Sequence, residues 1–293
     1  PISLTKPVAY VLNGGGKRLR PLLTIFSAEA CGGTKSSVFS AALAVEVLHN
    51  FTLVHDDIMD QDSIRHGQET VHNKWDDGVA ILTGDAMLSL ALRLLNKTPV
   101  ESHLQMKIFI DGLLAVCEGQ ALDKEFENQS SVSLDDYIKM IDLKTGHLIG
   151  LAAELGAVST GMDSGICEKV RDYGRLIGRA FQIQDDYLEI FSNSLNMGKS
   201  LESDIVLGKK TFLMIQALEK DTDIINSALE LARNNFEKGI GNIRSYLENE
   251  GIKKRAQEEI NNILKLADNK LNDLPIDKEK LLYFSKIIKK RGN

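Results

Sequence analysis

The sequence predicts an all-α protein, and three observations support this prediction. Only five prolines interrupt 293 residues, which leaves room for long helices because proline breaks a helix interior. No stretch of useful length alternates apolar and polar side chains as a half-buried strand does. Two acidic motifs with helical spacing each follow an apolar helical run. Since no linker-like segment divides the chain and 43% of its residues are apolar, we expect a single helical domain over residues 1–293.

The first element is a short helical piece, within residues 6–20, that Gly14, Gly15 and Gly16 interrupt just before Lys17, Arg18 and Arg20. A glycine turn that brings cations to a helix N-terminus can bind an anion, because exposed N–H groups and the positive end of the helix dipole point the same way. The alternative is a flexible turn with solvated charges. Taken by itself the turn favours that alternative, since glycine and basic residues are common in loops.

The first acidic motif, Asp56, Asp57 and Asp60, ends the next apolar helical run. On a helix these positions lie at about 0°, 100° and 40°, so the three carboxylates share one face. At about 6 Å and an effective dielectric near 20, each ionised pair repels by about 3 kcal/mol, so a cation must offset the charge. Oxygen ligands without Cys or a paired His favour Mg²⁺, which binds through one or two carboxylates plus substrate phosphates.

The second acidic motif repeats this spacing with Asp185, Asp186 and Glu189, at the end of a helix predicted over residues 171–191. A single such motif is weak evidence, because roughly one is expected by chance in a chain of this acidic content. Two motifs, about 130 residues apart, can face each other across a helical bundle and hold a metal cluster between them. The sequence therefore predicts one shared metal site.

Further helices are predicted between the two motifs. Arg65, in the polar turn after the first motif, either forms a surface ion pair or binds a phosphate. Residues 80–95 are apolar nearly all round and predict a buried helix, and a second helix follows over residues 103–126. Ser133 can cap the next helix, which carries Lys144 among apolar residues, where a buried lysine needs a partner.

Composition excludes some partners. A net charge of −6 argues against nucleic acid, whose binding needs a basic surface. Three cysteines without CxxC spacing suit small, reduced core residues of a cytosolic protein. No apolar stretch of the sequence approaches the length of a membrane span, and no signal peptide is visible, so we expect a cytoplasmic protein without a transmembrane segment.

With these residues in place, the chain resembles the trans-isoprenyl diphosphate synthases of the polyprenyl synthetase family. The resemblance runs from GGGKRLRPLL at residues 14–23 to GKSLESDIVLGKKT at residues 198–211, and includes DDIMD at 56–60 and FQIQDD at 181–186. The segment HNFTLVHDDIMDQD is similar to archaeal-type geranylgeranyl diphosphate synthases. The resemblance implies the isoprenoid synthase fold, an antiparallel helical bundle around a central active-site cavity.

The resemblance also implies an activity and a set of site residues. The activity is Mg²⁺-dependent condensation of isopentenyl diphosphate with an allylic diphosphate, with three ions once substrate is bound, in a homodimer. All six acidic-motif positions bind metal. Arg65, Lys144 and Lys199 assist the leaving diphosphate, and Thr145 and Gln182 lie beside the allylic cation. Isopentenyl diphosphate is held by Lys17, Arg20 and His49, with a weakened contact at His66, and Lys209 is a further substrate-binding residue. Ionisation, condensation and proton loss then give a short-chain prenyl diphosphate, for which we expect geranylgeranyl diphosphate.

Two positions depart from the family pattern, and one region sets product length. The family usually has a second arginine where this chain has His66, and an aspartate where it has Glu189. In the family the residue five before the first motif, here Phe51, limits chain length, and the small Thr52 follows it. An ideal helical wheel turns Phe51 away from the aspartate face. The other candidates for the tunnel floor are Leu48, Leu82 and Met87.

Three other functions stay open at this point. The first is a farnesyl or longer-chain polyprenyl diphosphate synthase. The second is a class I terpene cyclase, which needs no second diphosphate site, so Lys17, Arg20 and the basic C-terminal residues 289–291 argue against it. The third is a non-catalytic partner subunit, which could lose acidic ligands, whereas all six motif positions here are acidic.

Overall fold

The computed structural model describes residues 1–191 and 209–290, and these residues confirm the all-α prediction. Within them, the strands are the two-residue β1, Ile64–Arg65, and β2, Gln68–Glu69, which pair antiparallel with Ile64 opposite Glu69. In chain order the helices are α1 Ile2–Leu12, α2 Leu19–Ala30, α3 Lys35–Met59, α4 Val71–Lys74, α5 Asp77–Leu95, α6 Ser102–Glu127, α7 Leu134–Ile141, a π-helix Asp142–Gly146, α8 His147–Val158, α9 Ser164–Phe191, α10 Phe212–Lys220, α11 Thr222–Asn234, α12 Phe236–Asn249, α13 Ile252–Lys270 and α14 Glu279–Lys289.

The chain divides into two compact units. The first consists of Pro1–Asp111, Leu151–Arg171 and Asp273–Leu281, and the second of Gly112–Gly150, Asp172–Asn272 and Leu282–Asn293. The glycine turn and the first acidic motif therefore belong to the first unit. Lys144 and the second acidic motif belong to the second. A single domain over residues 1–293 stays a prediction.

In the first unit, α3 is the helix against which α2 and α5 pack. Thr34 caps its N-terminus. The Thr34 hydroxyl accepts a hydrogen bond from the Ser37 N–H at 3.3 Å, and the Ser37 side chain accepts one from the Thr34 N–H. Buried alanine and valine side chains along α3 allow its neighbours to approach closely. This packing fixes the C-terminal end of α3, where the first acidic motif lies.

In the second unit, α7 begins where the sequence predicts. The Ser133 hydroxyl accepts a hydrogen bond from the Asp136 N–H at 3.1 Å, which confirms the predicted cap. The helix then widens into the π-helix rather than continuing as α. Tyr137 and Tyr173 are among the side chains that fill this unit's core, with exposures of 1% and 0%.

Two sequence expectations about burial are wrong in part. Residues 80–95 were expected to form a buried helix, but α5 exposes Ile81 (48%) and Leu82 (61%), because the described residues of its unit do not cover that side of the helix. The three cysteines were expected in the core, but Cys117 is exposed, whereas Cys31 and Cys167 are buried. Burial raises the pKa of the Cys31 thiol to about 11, so it is unreactive at neutral pH.

The expectation that no apolar stretch reaches membrane-span length is also wrong by the measure of length and composition. Among the described residues, α3 and α5 are each long and apolar enough to cross a membrane. The evidence for a span is weak, because a buried core helix passes the same test, and the apolar part of α3 is 56% buried. The absence of a transmembrane segment stays a prediction.

Candidate active site

The glycine turn between α1 and α2 is tied to α3 by Arg18. The residue has a left-handed backbone, with φ of 50°, and its guanidinium donates hydrogen bonds to the carbonyl oxygens of Leu12 at 3.1 Å and Gly14 at 2.8 Å. The same guanidinium forms an ion pair with Glu46 of α3. These contacts argue for a fixed turn rather than a flexible one, with Lys17 exposed at its surface.

Two neutral histidines lie at this end of the first unit. His49 is half-buried, and desolvation together with the nearby Arg20 and Arg65 holds its pKa well below the usual value. Its Nε2 therefore accepts a hydrogen bond from Arg20 Nη1 at 2.9 Å. His66 lies against the turn, since a Cβ added to Gly15 would come 3.4 Å from the Cβ of His66. Burial, and then the Arg65 charge, lower the pKa of His66, so this imidazole is also uncharged at neutral pH.

In the first acidic motif, the middle carboxylate is bound within the protein. Asp57 is 4% exposed and forms an ion pair with Arg65, which also donates to Asp62 at 3.0 Å. Burial raises the pKa of Asp57 to about 7, although Arg65 opposes this rise. Asp56 and Asp60 are half-buried. Arg65, whose side chain is 16% exposed, thus makes a partly buried ion pair rather than a surface one.

In the second unit, the π-helix presents Lys144 and Thr145 to different neighbours. Lys144 Nζ donates to Asp123 Oδ2 of α6 at 2.6 Å, which confirms that this lysine has an acidic partner. The Thr145 hydroxyl donates to Gln182 Oε1 of α9 at 2.9 Å. The structure therefore brings Thr145 and Gln182 together, the two residues expected beside the allylic cation.

Two glycines allow α6 and α9 to approach the π-helix. A Cβ on Gly119 of α6 would lie 2.3 Å from the backbone nitrogen of Lys144. A Cβ on Gly178 of α9 would lie 2.6 Å from Gly146 Cα. Backbone atoms fill both places, so side chains at these positions would push the helices apart.

The second acidic motif also has a buried middle carboxylate. Asp186 is 6% exposed and accepts hydrogen bonds from the Tyr137 hydroxyl at 2.5 Å, Gln182 Nε2 at 3.1 Å and the Phe212 N–H at 3.3 Å. Burial raises the pKa of Asp186 to about 6, although these donors favour its charged form. Asp185 and Glu189 are half-buried.

The remaining predicted residues fall in several places. Phe51 (8% exposed) packs edge-on against His55, with ring centroids 4.8 Å apart, and His55 Nε2 lies 3.4 Å from the Ile81 carbonyl oxygen of α5. Phe51 is therefore on the α5 side of α3. The Thr52 hydroxyl donates to the His49 carbonyl at 2.8 Å.

Of the other tunnel candidates, Leu48 and Met87 are fully buried and Leu82 is exposed. Lys209 is half-buried, whereas Lys199 and Arg291 lie outside the described residues.

Sequence reasoning missed Gln120, which is noticeable there only as a polar interruption of an apolar stripe. Its side chain is 7% exposed, yet neither amide atom has a hydrogen-bond partner among the described residues. Leaving a buried amide unpaired costs about 1–3 kcal/mol. On α6 it lies one turn before Asp123, the partner of Lys144, which makes the unpaired amide a candidate contact for a polar ligand.

The carboxylates suit Mg²⁺. Within residues 1–191 and 209–290, no three His, Cys, Asp or Glu side chains are close enough to form a metal cage by themselves. Mg²⁺ does not require one, because it usually binds through one or two carboxylates, several waters and substrate phosphates. Half-buried oxygen donors, which Asp56, Asp60, Asp185 and Glu189 supply, fit that mode. The two motifs belong to different compact units, so their shared cluster stays a prediction.

Loss of a diphosphate from an allylic carbon requires carboxylates for a hard cation, cations for the leaving group and oxygens for the carbon that becomes positive. The fold and the site thus define an enzyme of the all-α isoprenoid synthase class that acts on allylic diphosphates.

Known proteins agree with this class. The polyprenyl synthetase family model matches residues 2–247. A geranylgeranyl diphosphate synthase of Methanosarcina mazei is 43% identical over 223 residues, which cover 75% of this chain and 69% of that protein. The crystal structure of a geranylgeranyl pyrophosphate synthase matches with a TM-score of 0.92 and 39% identity, covering 100% of this chain and 93% of that one. A polyprenyl synthase of Caulobacter crescentus, complexed with calcium and isoprenyl diphosphate, matches with a TM-score of 0.89 and 28% identity, covering 99% and 89%.

The chain belongs to the polyprenyl synthetase family. It is a trans-prenyltransferase that makes short-chain prenyl diphosphates.

Proposed function

We propose that this enzyme is a Mg²⁺-dependent geranylgeranyl diphosphate synthase, which condenses isopentenyl diphosphate with an allylic diphosphate. One observation carries the proposal. In each acidic motif the first and last carboxylates are half-buried, whereas the middle one is buried and bound by protein donors. This pattern suits a site where the half-buried outer carboxylates reach cations directly, and the middle ones, held in place by protein donors, complete the same metal set. The geranylgeranyl product is supported by the relatives named above.

The metal set in this proposal is Asp56, Asp57, Asp60, Asp185, Asp186 and Glu189, with three Mg²⁺ ions once substrate is bound. The calcium complex of the Caulobacter relative supports a divalent cation. Bound Mg²⁺ supplies Lewis acidity that stabilises negative charge on the departing diphosphate.

The residues of the second unit act on the allylic substrate. Lys144, with Arg65 and Lys199, offsets charge on the leaving diphosphate as its bond to C1 breaks. Because Thr145 donates its hydroxyl proton to Gln182, its oxygen keeps lone pairs that can stabilise positive charge at C1. Gln120 supplies an amide whose hydrogen bonds are unmade in the described residues and can be made to substrate.

The residues near the glycine turn hold isopentenyl diphosphate. Lys17 and Arg20 contribute charge at the N-terminus of α2, where the helix dipole also favours an anion. His49 accepts a hydrogen bond from Arg20 and so orients its guanidinium, and His66 and Lys209 complete the set. The double bond of the bound molecule attacks C1, and loss of a proton yields the extended diphosphate.

The enzyme in this proposal is a cytoplasmic homodimer that does not bind nucleic acid. Three thiols free of disulfides suit a reducing compartment. Exposed apolar side chains on α5 (Ile81, Leu82) and on α6 (Ile110, Leu114) suit contact with a second copy of the chain. Light scattering of the wild type and of Leu114→Asp tests this, because a charge in that contact should yield monomers.

Incubation of the pure protein with labelled isopentenyl diphosphate, an allylic diphosphate and Mg²⁺ tests the activity. We expect extended prenyl diphosphate; a cyclised hydrocarbon would indicate a cyclase, and no product would indicate a non-catalytic subunit.

Asp56→Ala and Asp185→Ala should each lower turnover by orders of magnitude and leave the helical content unchanged, and EDTA should abolish activity reversibly. Asp111→Ala, which removes an exposed ion pair with Lys107, is the matched control and should be fully active. Near-normal turnover of Asp185→Ala would refute the shared metal site.

A further inference from the structure

Asp142, the first residue of the π-helix, is a buried carboxylate held by two arginines. It is 6% exposed, and Arg179 Nε donates to its Oδ1 at 2.9 Å. Arg175 Nε donates to the same oxygen at 3.3 Å, and its Nη2 binds Oδ2. Burial alone would raise the pKa of Asp142, but the hydrogen bonds from Arg179 and Arg175 outweigh it and hold this pKa below the usual value. The three residues form an ionised cluster, which we call the Asp142 cluster.

The local backbone is shaped for this cluster. Arg175 and Arg179 are four residues apart on α9, so their side chains leave the same face of that helix. Gly146 ends the π-helix, and a Cβ at that position would lie 2.6 Å from Asp142 Oδ1. Only a residue without a side chain leaves room for the carboxylate to lie along its own turn. The fit indicates a built arrangement rather than a chance surface pairing.

The turn that the cluster holds is an uncommon one. A π-helix is rare, is often found at functional sites, and persists where the surrounding contacts fix it. Here the same five residues, Asp142–Gly146, carry Lys144 and Thr145. If the turn relaxed to α-helix, the residues after the change would rotate about the axis. The Lys144 contact with Asp123 and the Thr145 contact with Gln182 could not both survive that rotation unchanged.

We infer that the Asp142 cluster positions Lys144 and Thr145 for catalysis by holding the π-helix against α9. Asp142, Arg175 and Arg179 are positioning residues that act through the turn. This inference rests on the proposed function, in which Lys144 and Thr145 act on the allylic diphosphate.

A displaced turn has a chemical signature. In the normal reaction the C1–O bond breaks, its electron pair leaves with diphosphate, and the double bond of isopentenyl diphosphate forms a bond to C1 before a proton is lost. If the oxygens beside C1 are misplaced, water can add to C1 instead and lose a proton, which gives the allylic alcohol. The ratio of alcohol to condensed product therefore reports the placement of the turn, whereas a loss of stability alone does not change it.

The test uses the full chain and two variants. In Asp142→Asn the carboxylate charge is lost, and in Arg179→Gln one of its two arginines is lost. We expect kcat to fall by about ten- to hundredfold, as for small misplacements of reacting groups, and the alcohol ratio to rise. The KM for isopentenyl diphosphate should be unchanged, because the residues proposed to bind it lie outside the π-helix and α9. Arg179→Lys, which keeps the charge, should recover part of kcat.

Asp172→Asn is the matched control on the same helix. It removes a more exposed ion pair with Lys270, at 3.4 Å, and should leave kcat and the alcohol ratio at wild-type values. If Asp142→Asn does not fold, Arg179→Gln carries the test, since Arg175 still binds both carboxylate oxygens. Variants that match the control in kcat and alcohol ratio would overturn the positioning role. A wild-type enzyme that makes no condensed product would instead overturn the proposed function.

Discussion

Replacing Gly178 by alanine should separate α9 from the π-helix and so break the Thr145–Gln182 contact. The new Cβ would lie 2.6 Å from Gly146 Cα and 3.1 Å from the Thr145 carbonyl oxygen. Ordinary carbon–carbon contact is about 3.5–4.0 Å, so the two backbones must move apart by about 1 Å. A hydrogen bond of 2.9 Å would then stretch beyond the accepted limit.

The expected effects follow from that displacement. A misplacement of about 1 Å can lower turnover by about a hundredfold. Overpacking destabilises by about 1–3 kcal/mol, of which about 1 kcal/mol is offset because alanine is the better helix former. Steady-state kinetics should show the loss in kcat, and thermal unfolding by circular dichroism should show a modest fall in Tm.

Gly241→Ala is the matched control. Gly241 lies within α12, and a Cβ there would meet no atom within 4 Å. Alanine should therefore stabilise the protein by about 0.5–1 kcal/mol and leave kcat unchanged. If Gly178→Ala behaves like Gly241→Ala, the close contact does not position the catalytic pair, and the reasoning is refuted.

Three further predictions concern product length, substrate affinity and pH. Phe51→Ala should shift the product from geranylgeranyl diphosphate to longer chains, because loss of the ring opens room for more five-carbon units; chromatography of dephosphorylated products that shows no shift would clear Phe51 of this role. His66→Arg should lower the KM for isopentenyl diphosphate but not for the allylic substrate, because arginine adds a permanent charge where the imidazole is neutral; an equal or higher KM would count against it. Tyr137→Phe should remove a hydrogen-bond donor to Asp186. The pKa of Asp186 is about 6 in the folded protein and 3.8 in the unfolded chain, so in the wild type its ionisation lowers the stability of the folded state as the pH rises from 3.8 through 6. Denaturant unfolding in EDTA should show a loss of about 2 kcal/mol at pH 8 and a smaller loss at pH 5, and equal losses at both would contradict the assigned hydrogen bond.

Local rules were sufficient for the features that depend on near neighbours in sequence. The Ser133 cap and the two acidic motifs follow from side-chain chemistry and helical period, and the structure has the cap and both helices there. The sequence showed that Lys144 needs a partner, but it did not show which residue is the partner, because Asp123 lies 21 positions away on another helix. The π-helix was not predictable, because the contacts that hold it come from α6 and α9.

Burial was the other limit of sequence reasoning. An apolar periodicity shows that a residue can be buried, but not whether another element covers it. Leu82 illustrates this, since the sequence favours a core position and the structure exposes 61% of it. Conversely, the sequence placed Asp186 in an acidic motif but could not show that it is buried and accepts a hydrogen bond from Tyr137, which lies 49 residues earlier.

The unpaired amide of Gln120 has a consequence for how this enzyme can evolve. A nonpolar side chain of similar size at this position would remove the cost of burying two unmet polar atoms, so the substitution should make the folded chain more robust. The same change would delete the hydrogen bonds proposed for substrate. Selection for thermal stability and selection for turnover therefore act in opposite directions at this position. A substitution here that stabilises the fold is a route by which the lineage could lose its activity.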